Sequence, residues 1–136
     1  MTPPDAKGSN DSTFALSKLG QIAINVGDLE RATAFYRDSL GMRFLFSAPG
    51  MAFFDCGGVR LLLGTPEKPE DDHPSSILYF TVPDVREAHQ ALSARGVELE
   101  GEPHLVHRTD SYELWMAFFH DSEGNLLALM SEEIPG

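Results

Sequence analysis

Apolar and polar positions along the chain follow two periods in a fixed order. Residues 19–26, "LGQIAINV", alternate and are rich in Ile and Val, which predicts a strand. Helical spacing follows, with Asp28 at the N-cap position and Gly41 placed to end the helix in the left-handed region. Residues 42–64 then hold three apolar runs broken by "APG" and "CGG", which predicts a meander of three short strands.

The same order of elements recurs in the second half of the chain. Residues 77–82, "ILYFTV", predict a strand. Asp84 is then the expected N-cap, and Glu87 three positions later is expected to complete a capping box. Gly96 is placed to end this second helix, and residues 97–130 offer three further strand-like runs separated by turn residues.

A direct alignment supports an internal duplication. Residues 53–63, "FFDCGGVRLLL", align with residues 118–129, "FFHDSEGNLLAL", when Asp55 is placed on Asp121. The chain is therefore predicted to be an α+β protein built from two βαβββ modules. Each module has too little surface to bury by itself, so the two must pack together within one chain or exchange with a second chain.

The composition of the segments between the modules sets the domain layout. Residues 1–17 are rich in Pro, Ser, Asp and Asn and are predicted to form a disordered tail. A single domain is expected over residues 18–134. It comprises module 1 (19–64), a charged, Pro-rich linker (65–76) and module 2 (77–131).

Charge and cysteine content narrow the classes of partner and compartment. The 136 residues carry 10 basic and 21 acidic side chains, for a formal net charge of −11, which argues against nucleic acid and anionic membranes as partners. The chain has no run of about 18 apolar residues, so no membrane span is predicted. The N-terminus lacks the pattern of a secretory signal, and the single cysteine, Cys56, fits a reducing compartment, so a cytoplasmic location is expected.

Two stretches resemble a known superfamily. "QIAINVGDLERATAFYRDSLGM" resembles the first module of vicinal oxygen chelate proteins, which include glyoxalase I, methylmalonyl-CoA epimerase, extradiol dioxygenases, fosfomycin-resistance enzymes and bleomycin-binding proteins. "FFHDSEGNLLALM" resembles the family's closing motif, F-x-D-P-x-G-N-x-x-E-L. The resemblance covers residues 19–131. It implies paired βαβββ modules in a curved, mostly antiparallel sheet around a cavity that usually holds a divalent metal.

The resemblance also implies where the metal ligands would lie. The four family positions fall on Gln21, Leu62, Ile77 and Ala128. Leu, Ile and Ala have no lone pair to donate, and one amide carbonyl cannot hold a divalent cation at useful affinity. No metal is therefore expected at the family's usual place. A divalent metal at another site is the alternative.

Strand alternation predicts which side chains line the cavity. The expected ligand contacts in the strands named so far are Gln21, Asn25, Arg60, Leu62, Ile77, Tyr79 and Ala128. This set is mostly apolar with a few polar groups, as is typical of small-molecule pockets. The alternatives are an Arg60 that extends into solvent, a Tyr79 that belongs to the core and a Gln21 that is bonded within the sheet.

Three further side chains are candidates in the last module. His104 and His107 precede a hairpin that, in the family, lies over the cavity mouth, and His104 is the candidate ligand contact and general base. Because they are three apart on a predicted strand, the two histidines are expected on opposite faces. Trp115 is either an aromatic wall for a flat ligand or a core residue.

Two functions follow from these residues, with a third kept open. The first is a glyoxalase- or bleomycin-resistance-like protein that binds a small apolar or amphipathic molecule as a homodimer, without the family's metal. The second is an enzyme of the same superfamily, a lyase, isomerase or dioxygenase, that uses His104 or an unorthodox metal site. The third is a scaffold with a filled cavity and no small ligand.

Overall fold

The computed structural model describes residues 14–66 and 73–134. Module 1 consists of β1 (Gln21–Asn25), α1 (Leu29–Ala34) with a π-helical continuation (Phe35–Ser39), β2 (Arg43–Ala48), β3 (Met51–Cys56) and β4 (Val59–Gly64). Module 2 consists of β5 (Leu78–Thr81), α2 (Val85–Ala94), β6 (Glu98–Arg108), β7 (Glu113–His120) and β8 (Leu126–Glu133). Most of the predicted tail and half of the predicted linker lie outside the described residues.

Each module has its own four-stranded mixed sheet. Sheet 1 has the strand order β1-β4-β3-β2, and sheet 2 has the equivalent order β5-β8-β7-β6. In both sheets the first strand pairs in parallel with the last, and the other pairs are antiparallel. The predicted α+β class and its two βαβββ modules are confirmed, and neither sheet closes into a barrel.

The helix ends follow the predicted capping chemistry with one exception. The Asp28 carboxylate accepts from the Arg31 amide at 3.1 Å, and Gly41 has a φ of 71°. The Asp84 carboxylate accepts from the amides of Arg86 at 2.9 Å and Glu87 at 3.4 Å. Within the described residues Glu87 returns no side-chain bond to the Asp84 amide, so the second half of the predicted capping box was wrong.

One buried cluster draws side chains from both modules. Tyr36 and Phe54 of module 1 and Phe119 and Leu127 of module 2 are essentially inaccessible to solvent. They belong to one cluster together with residues of both helices, such as Ala32 and Leu92. The modules of one chain therefore share a core on the helix-bearing faces of their sheets, and burial of this apolar surface is the main stabilising contribution.

Side chains that alternate with these core residues lie on the opposite faces, which we call the open faces of sheets 1 and 2. Ile22 and Ile24 of β1 contact the core, whereas Gln21 and Ala23, which alternate with them, are exposed. Phe53 and Ala128 are buried but stay outside the shared cluster, because they lie on the open faces. The open faces carry the family positions.

Candidate ligand-binding site

The open face of sheet 1 brings predicted ligand contacts together across two parallel strands. The register places Gln21 beside Arg60 and Ala23 beside Leu62. Strand β3 adds Phe53 opposite Leu62. A depression of about 260 Å³ lies on this face between β1, β3 and β4, with Ala23 and Leu62 in its lining. This volume suits a small molecule or one end of a larger one.

Arg60 lies over a pair of aromatic rings that the sequence interpretation did not include. Phe46 and Phe53 stack with centroids 4.4 Å apart and an interplanar angle of 21°. The guanidinium carbon of Arg60 is 5.5 Å from the Phe46 centroid and 5.7 Å from the Phe53 centroid. Phe46 reaches this position because of a register shift in β2 between residues 44 and 46. Alternation alone could not reveal this irregularity.

The open face of sheet 2 carries an aromatic group of its own. Tyr79 pairs with Ala128 in the ladder, and its ring meets the Phe118 ring edge to face at 6.1 Å. The His104 imidazole lies nearly parallel to the Phe118 ring, with centroids 6.2 Å apart. Tyr79 is 45% exposed and Ile77 is 40% exposed. Phe118 was not among the predicted contacts, although alternation with buried Ala117 and Phe119 would have found it.

Two irregularities in β6 change the predicted orientation of its histidines. His104 pairs with Met116 and His107 pairs with Leu114, and the register shifts between residues 105 and 107. Met116 and Leu114 are two apart on β7 and lie on the same face. Both histidines therefore lie on the open side of sheet 2, and the expectation of opposite faces was wrong because the extra residue of a bulge reverses the alternation.

Two other candidate ligand contacts, Trp115 and Asn25, make contacts within the protein. Trp115 contacts the core cluster, donates from Nε1 to Glu113 at 3.0 Å and is covered by the Arg86 guanidinium at 4.7 Å. It thus lies on the opposite face of sheet 2 from Tyr79. Asn25 donates from its backbone amide to Ser75 Oγ at 3.0 Å, and its carbonyl accepts from Asn125 Nδ2 at 3.1 Å. Asn25 therefore joins the linker and module 2 to β1.

The four family metal positions occupy equivalent places in the two sheets. Leu62 lies two residues beyond the ladder partner of Gln21. Extension of the β5 ladder places Ala128 in the same relation to Ile77. The side chains of Leu62, Ile77 and Ala128 have no donor atom, so these residues do not fit a metal. Among the residues that the structure describes, no group of three or more His, Cys, Asp or Glu is placed to hold one.

The turn between β7 and β8 holds the modules together beside β1. The Asp121 carboxylate accepts from the Tyr36 hydroxyl at 2.7 Å, and the Glu123 carboxylate accepts from the amides of Gly27 and Asp28 at 3.1 and 2.8 Å. Arg31 adds bonds of 2.7 and 3.0 Å to Glu123. The hydrogen bond from Arg31 first, and then that from the Asp28 amide, lower the pKa of Glu123 to about 2. The closing motif is therefore a clamp between modules in this chain.

Cys56 is not poised for nucleophilic chemistry. Burial, with a smaller contribution from the Asp55 carboxylate, raises the pKa of its thiol. The thiolate that would act as nucleophile is therefore disfavoured, as expected for a quiet, partly buried cysteine.

Comparison with known proteins identifies the superfamily. The sequence model of the Glyoxalase/Bleomycin resistance protein/Dioxygenase superfamily matches residues 18–129. The uncharacterized protein YraH of Bacillus subtilis (strain 168) is 29% identical over 126 residues, covering 82% of this chain and 96% of that protein.

In the described part of the chain, no helix has the length and apolar character needed to span a membrane.

Solved structures share the fold at low identity. TnmS3, an antibiotic binding protein from Streptomyces sp. CB03234, superposes with a TM-score of 0.68 at 25% identity, covering 88% of this chain and 99% of that one. Lactoylglutathione lyase from Agrobacterium tumefaciens gives 0.66 at 24% identity over 85% and 94% of the two chains. The match of the sequence model to residues 18–129 shows that the chain belongs to the Glyoxalase/Bleomycin resistance protein/Dioxygenase superfamily.

Proposed function

We propose that this chain is a metal-free binding protein that holds a small amphipathic molecule against the open faces of its sheets. The observation that carries the proposal is the chemistry of the four family positions. Three of them are Leu62, Ile77 and Ala128, while the surrounding face offers aromatic rings and a few polar groups. Such a surface suits sequestration better than Lewis-acid catalysis. The likeness to TnmS3, an antibiotic binding protein, agrees with this proposal.

The proposal includes a homodimer. The shared core uses the helix-bearing faces, so the open faces of a single chain keep large apolar side chains in solvent. Phe46 is 44% exposed, Tyr79 is 45% exposed and Ile77 is 40% exposed. Contiguous exposed apolar surface marks an interaction or ligand site. A second copy would cover this surface and enclose the ligand between one chain's sheet 1 and the partner's sheet 2.

A second candidate function has one supporting observation. The register places His104 and His107 on the same open side of sheet 2, and the His104 imidazole lies beside the Phe118 ring, which in turn contacts Tyr79. Imidazole is the side chain best suited to proton transfer near neutral pH. An enzyme that uses His104 as a base is therefore the alternative to passive binding.

Two measurements test the proposal together. Elemental analysis of protein purified without chelator or immobilised metal should find near-zero transition metal per chain. About one metal per chain, lost in His104→Ala, would overturn the metal-free proposal and favour the enzyme. Amide-shift mapping by NMR with an uncharged naphthyl probe, 2-naphthamide, should perturb β1, β4, β5 and β8.

A second pocket provides an internal comparison for the NMR mapping. A separate apolar cleft of about 230 Å³ lies on the core side between α2, β5 and the end of the π-helical turn, lined by residues such as Leu40, Phe80 and Arg95. Shifts confined to that cleft, or no shifts at millimolar probe, would contradict binding at the open faces.

A further inference from the structure

We infer that the ligand carries an oxyanion, a carboxylate or a phosphate, and that Arg60 binds this group with Gln21 beside it. The inference rests on the proposed function, because it assigns the chemical class of the molecule held at the open face of sheet 1. Three observations support it: Arg60 contacts aromatic rings, it has no acidic partner in the described residues, and Gln21 lies beside it.

Arg60 is exposed, and its neighbours are aromatic rings and not an acid. Its guanidinium carbon lies within 5.7 Å of the ring centroids of both Phe46 and Phe53, which stack on each other. A guanidinium is weakly hydrated, and one packed against aromatic rings loses less side-chain freedom when it forms hydrogen bonds. Its planar fork of donors matches the two oxygens of a carboxylate or phosphate.

The other arginines of the chain, except Arg43, have polar partners. Arg31, Arg37, Arg86 and Arg108 each form an ion pair, and Arg95 donates to the Ser39 carbonyl at 2.9 Å. In the described ranges, 14–66 and 73–134, the side chains of Arg60 and Arg43 make no ion pair or hydrogen bond. Acidic residues outnumber basic ones by 21 to 10, yet neither of these two guanidinium groups has an acidic partner in the described residues.

The nearest carboxylate in the ladder does not neutralise Arg60. Asp55 is the register partner of both Arg43 and Arg60, so the three residues form a row across the open face. The Asp55 carboxylate accepts from the Gly58 amide at 3.2 Å and forms no salt bridge with either arginine. The row keeps one net positive charge, in a protein whose formal net charge is −11.

Gln21 supplies a second donor next to the cation. It is the ladder partner of Arg60 on the adjacent parallel strand, and in the described part of the chain its amide has no hydrogen-bond partner. Neighbouring strands lie about 4.8 Å apart, so one oxyanion can reach both groups. Ala23 and Leu62 follow along the same two strands and line the depression of about 260 Å³, which would receive the apolar part of the ligand.

Probes with one apolar body and different head groups test this inference. Isothermal titration would compare 2-naphthoate and 2-naphthyl phosphate with uncharged 2-naphthamide at low salt. The wild-type protein should bind at least one anion about tenfold or more tightly than the amide, since hydrogen bonds to charged groups are the strong ones. Whichever anion binds more tightly identifies the head group as carboxylate or phosphate.

Substitutions separate Arg60 from general charge effects. Arg60→Gln should lower the affinity for the anion to that for the amide and leave the affinity for the amide unchanged. Arg60→Lys should retain part of the preference. Arg37→Gln, which removes the same charge from the π-helical segment Phe35–Ser39, is the matched control and should change the affinity for the anion less than twofold. Circular dichroism would check that each variant is folded.

The outcomes distinguish failure of the inference from failure of the proposed function. Equal binding of anion and amide, unchanged by Arg60→Gln, would overturn the oxyanion and leave a binding protein. An equal loss in Arg37→Gln would also overturn it, as a general effect of charge. If Arg60→Gln altered only the dimer mass in sedimentation, Arg60 would be an interface residue and the inference would fail. No binding of any probe at millimolar concentration would overturn the inference and the proposed function together.

Discussion

The hydroxyl of Tyr36 donates a 2.7 Å hydrogen bond to Oδ2 of Asp121, and both side chains are buried. Tyr36 belongs to the first module's helix and Asp121 to the last turn of the second module. Burial, reinforced by the Asp121 carboxylate, raises the pKa of Tyr36 far above its ordinary value. The phenol therefore remains a donor across the working pH range, and the bond fixes how the two modules pack.

Loss of this hydroxyl should destabilise the whole chain. Tyr36→Phe keeps the ring and its edge contact with Phe35 but removes one donor from buried Asp121. Asp121 still accepts from the Glu123 and Asn125 amides, so the expected cost is about 1–2 kcal/mol in the free energy of unfolding. Urea denaturation followed by circular dichroism measures it.

Tyr112→Phe is the matched control for that experiment. In the described residues the Tyr112 hydroxyl forms no hydrogen bond, so the substitution should cost less than about 0.5 kcal/mol. Equal effects of the two substitutions would show that the Tyr36 hydroxyl does not secure the module contact.

The Glu123 clamp predicts a specific loss of stability in acid. The pKa of Glu123 is about 2 in the folded chain, below the usual 4.5, with the hydrogen bond from Arg31 as the largest cause. A depressed folded pKa contributes stability that is fully present above 4.5 and is lost as the pH falls from 4.5 toward 2. The free energies of unfolding of the wild type and of Glu123→Gln should therefore differ most near pH 7 and converge between pH 4.5 and 2.

The size of the difference is set by how the pair is solvated. The Glu123 side chain is 3% exposed but its Arg31 partner is 59% exposed, so solvent screens the charge contribution and about 1–2 kcal/mol at neutral pH is expected. Glu132→Gln, at an exposed carboxylate of β8, is the control and should leave the pH profile unchanged. A constant gap between wild type and Glu123→Gln down to pH 2 would contradict the lowered pKa.

Much of the fold was readable from local pattern, because period and capping are local properties. The strands, both N-caps and the terminal glycine of each helix follow from neighbouring residues. The face occupied by His107 and the position of Phe46 were not readable, because both depend on register shifts within a strand. The bond between Tyr36 and Asp121 was also hidden. It spans 85 positions and exists only once the modules pack.

Gln21 is one of the polar groups of the proposed site. Gln21→Ala should leave the fold intact, because the residue is exposed and its amide has no partner within the described chain. If that amide binds the ligand, affinity should fall by roughly 1–3 kcal/mol. Calorimetric titration of the best naphthyl probe measures the loss. Gln90→Ala, an exposed amide on α2, is the control. Identical affinities for wild type and Gln21→Ala would remove Gln21 from the site.

Reintroduced metal ligands can show whether a site forms within one chain or across two. Leu62→Glu restores a carboxylate near Gln21 in module 1, and Ile77→His restores an imidazole in module 2. Zinc accepts both donors. If the open faces meet across a dimer, chains carrying only Leu62→Glu, mixed and refolded with chains carrying only Ile77→His, should bind zinc at up to half a site per chain. If the faces meet within one chain, only the double variant should bind. Zinc binding by neither preparation would show that the four positions do not converge, and the proposed enclosure of the ligand between sheets would fall with it.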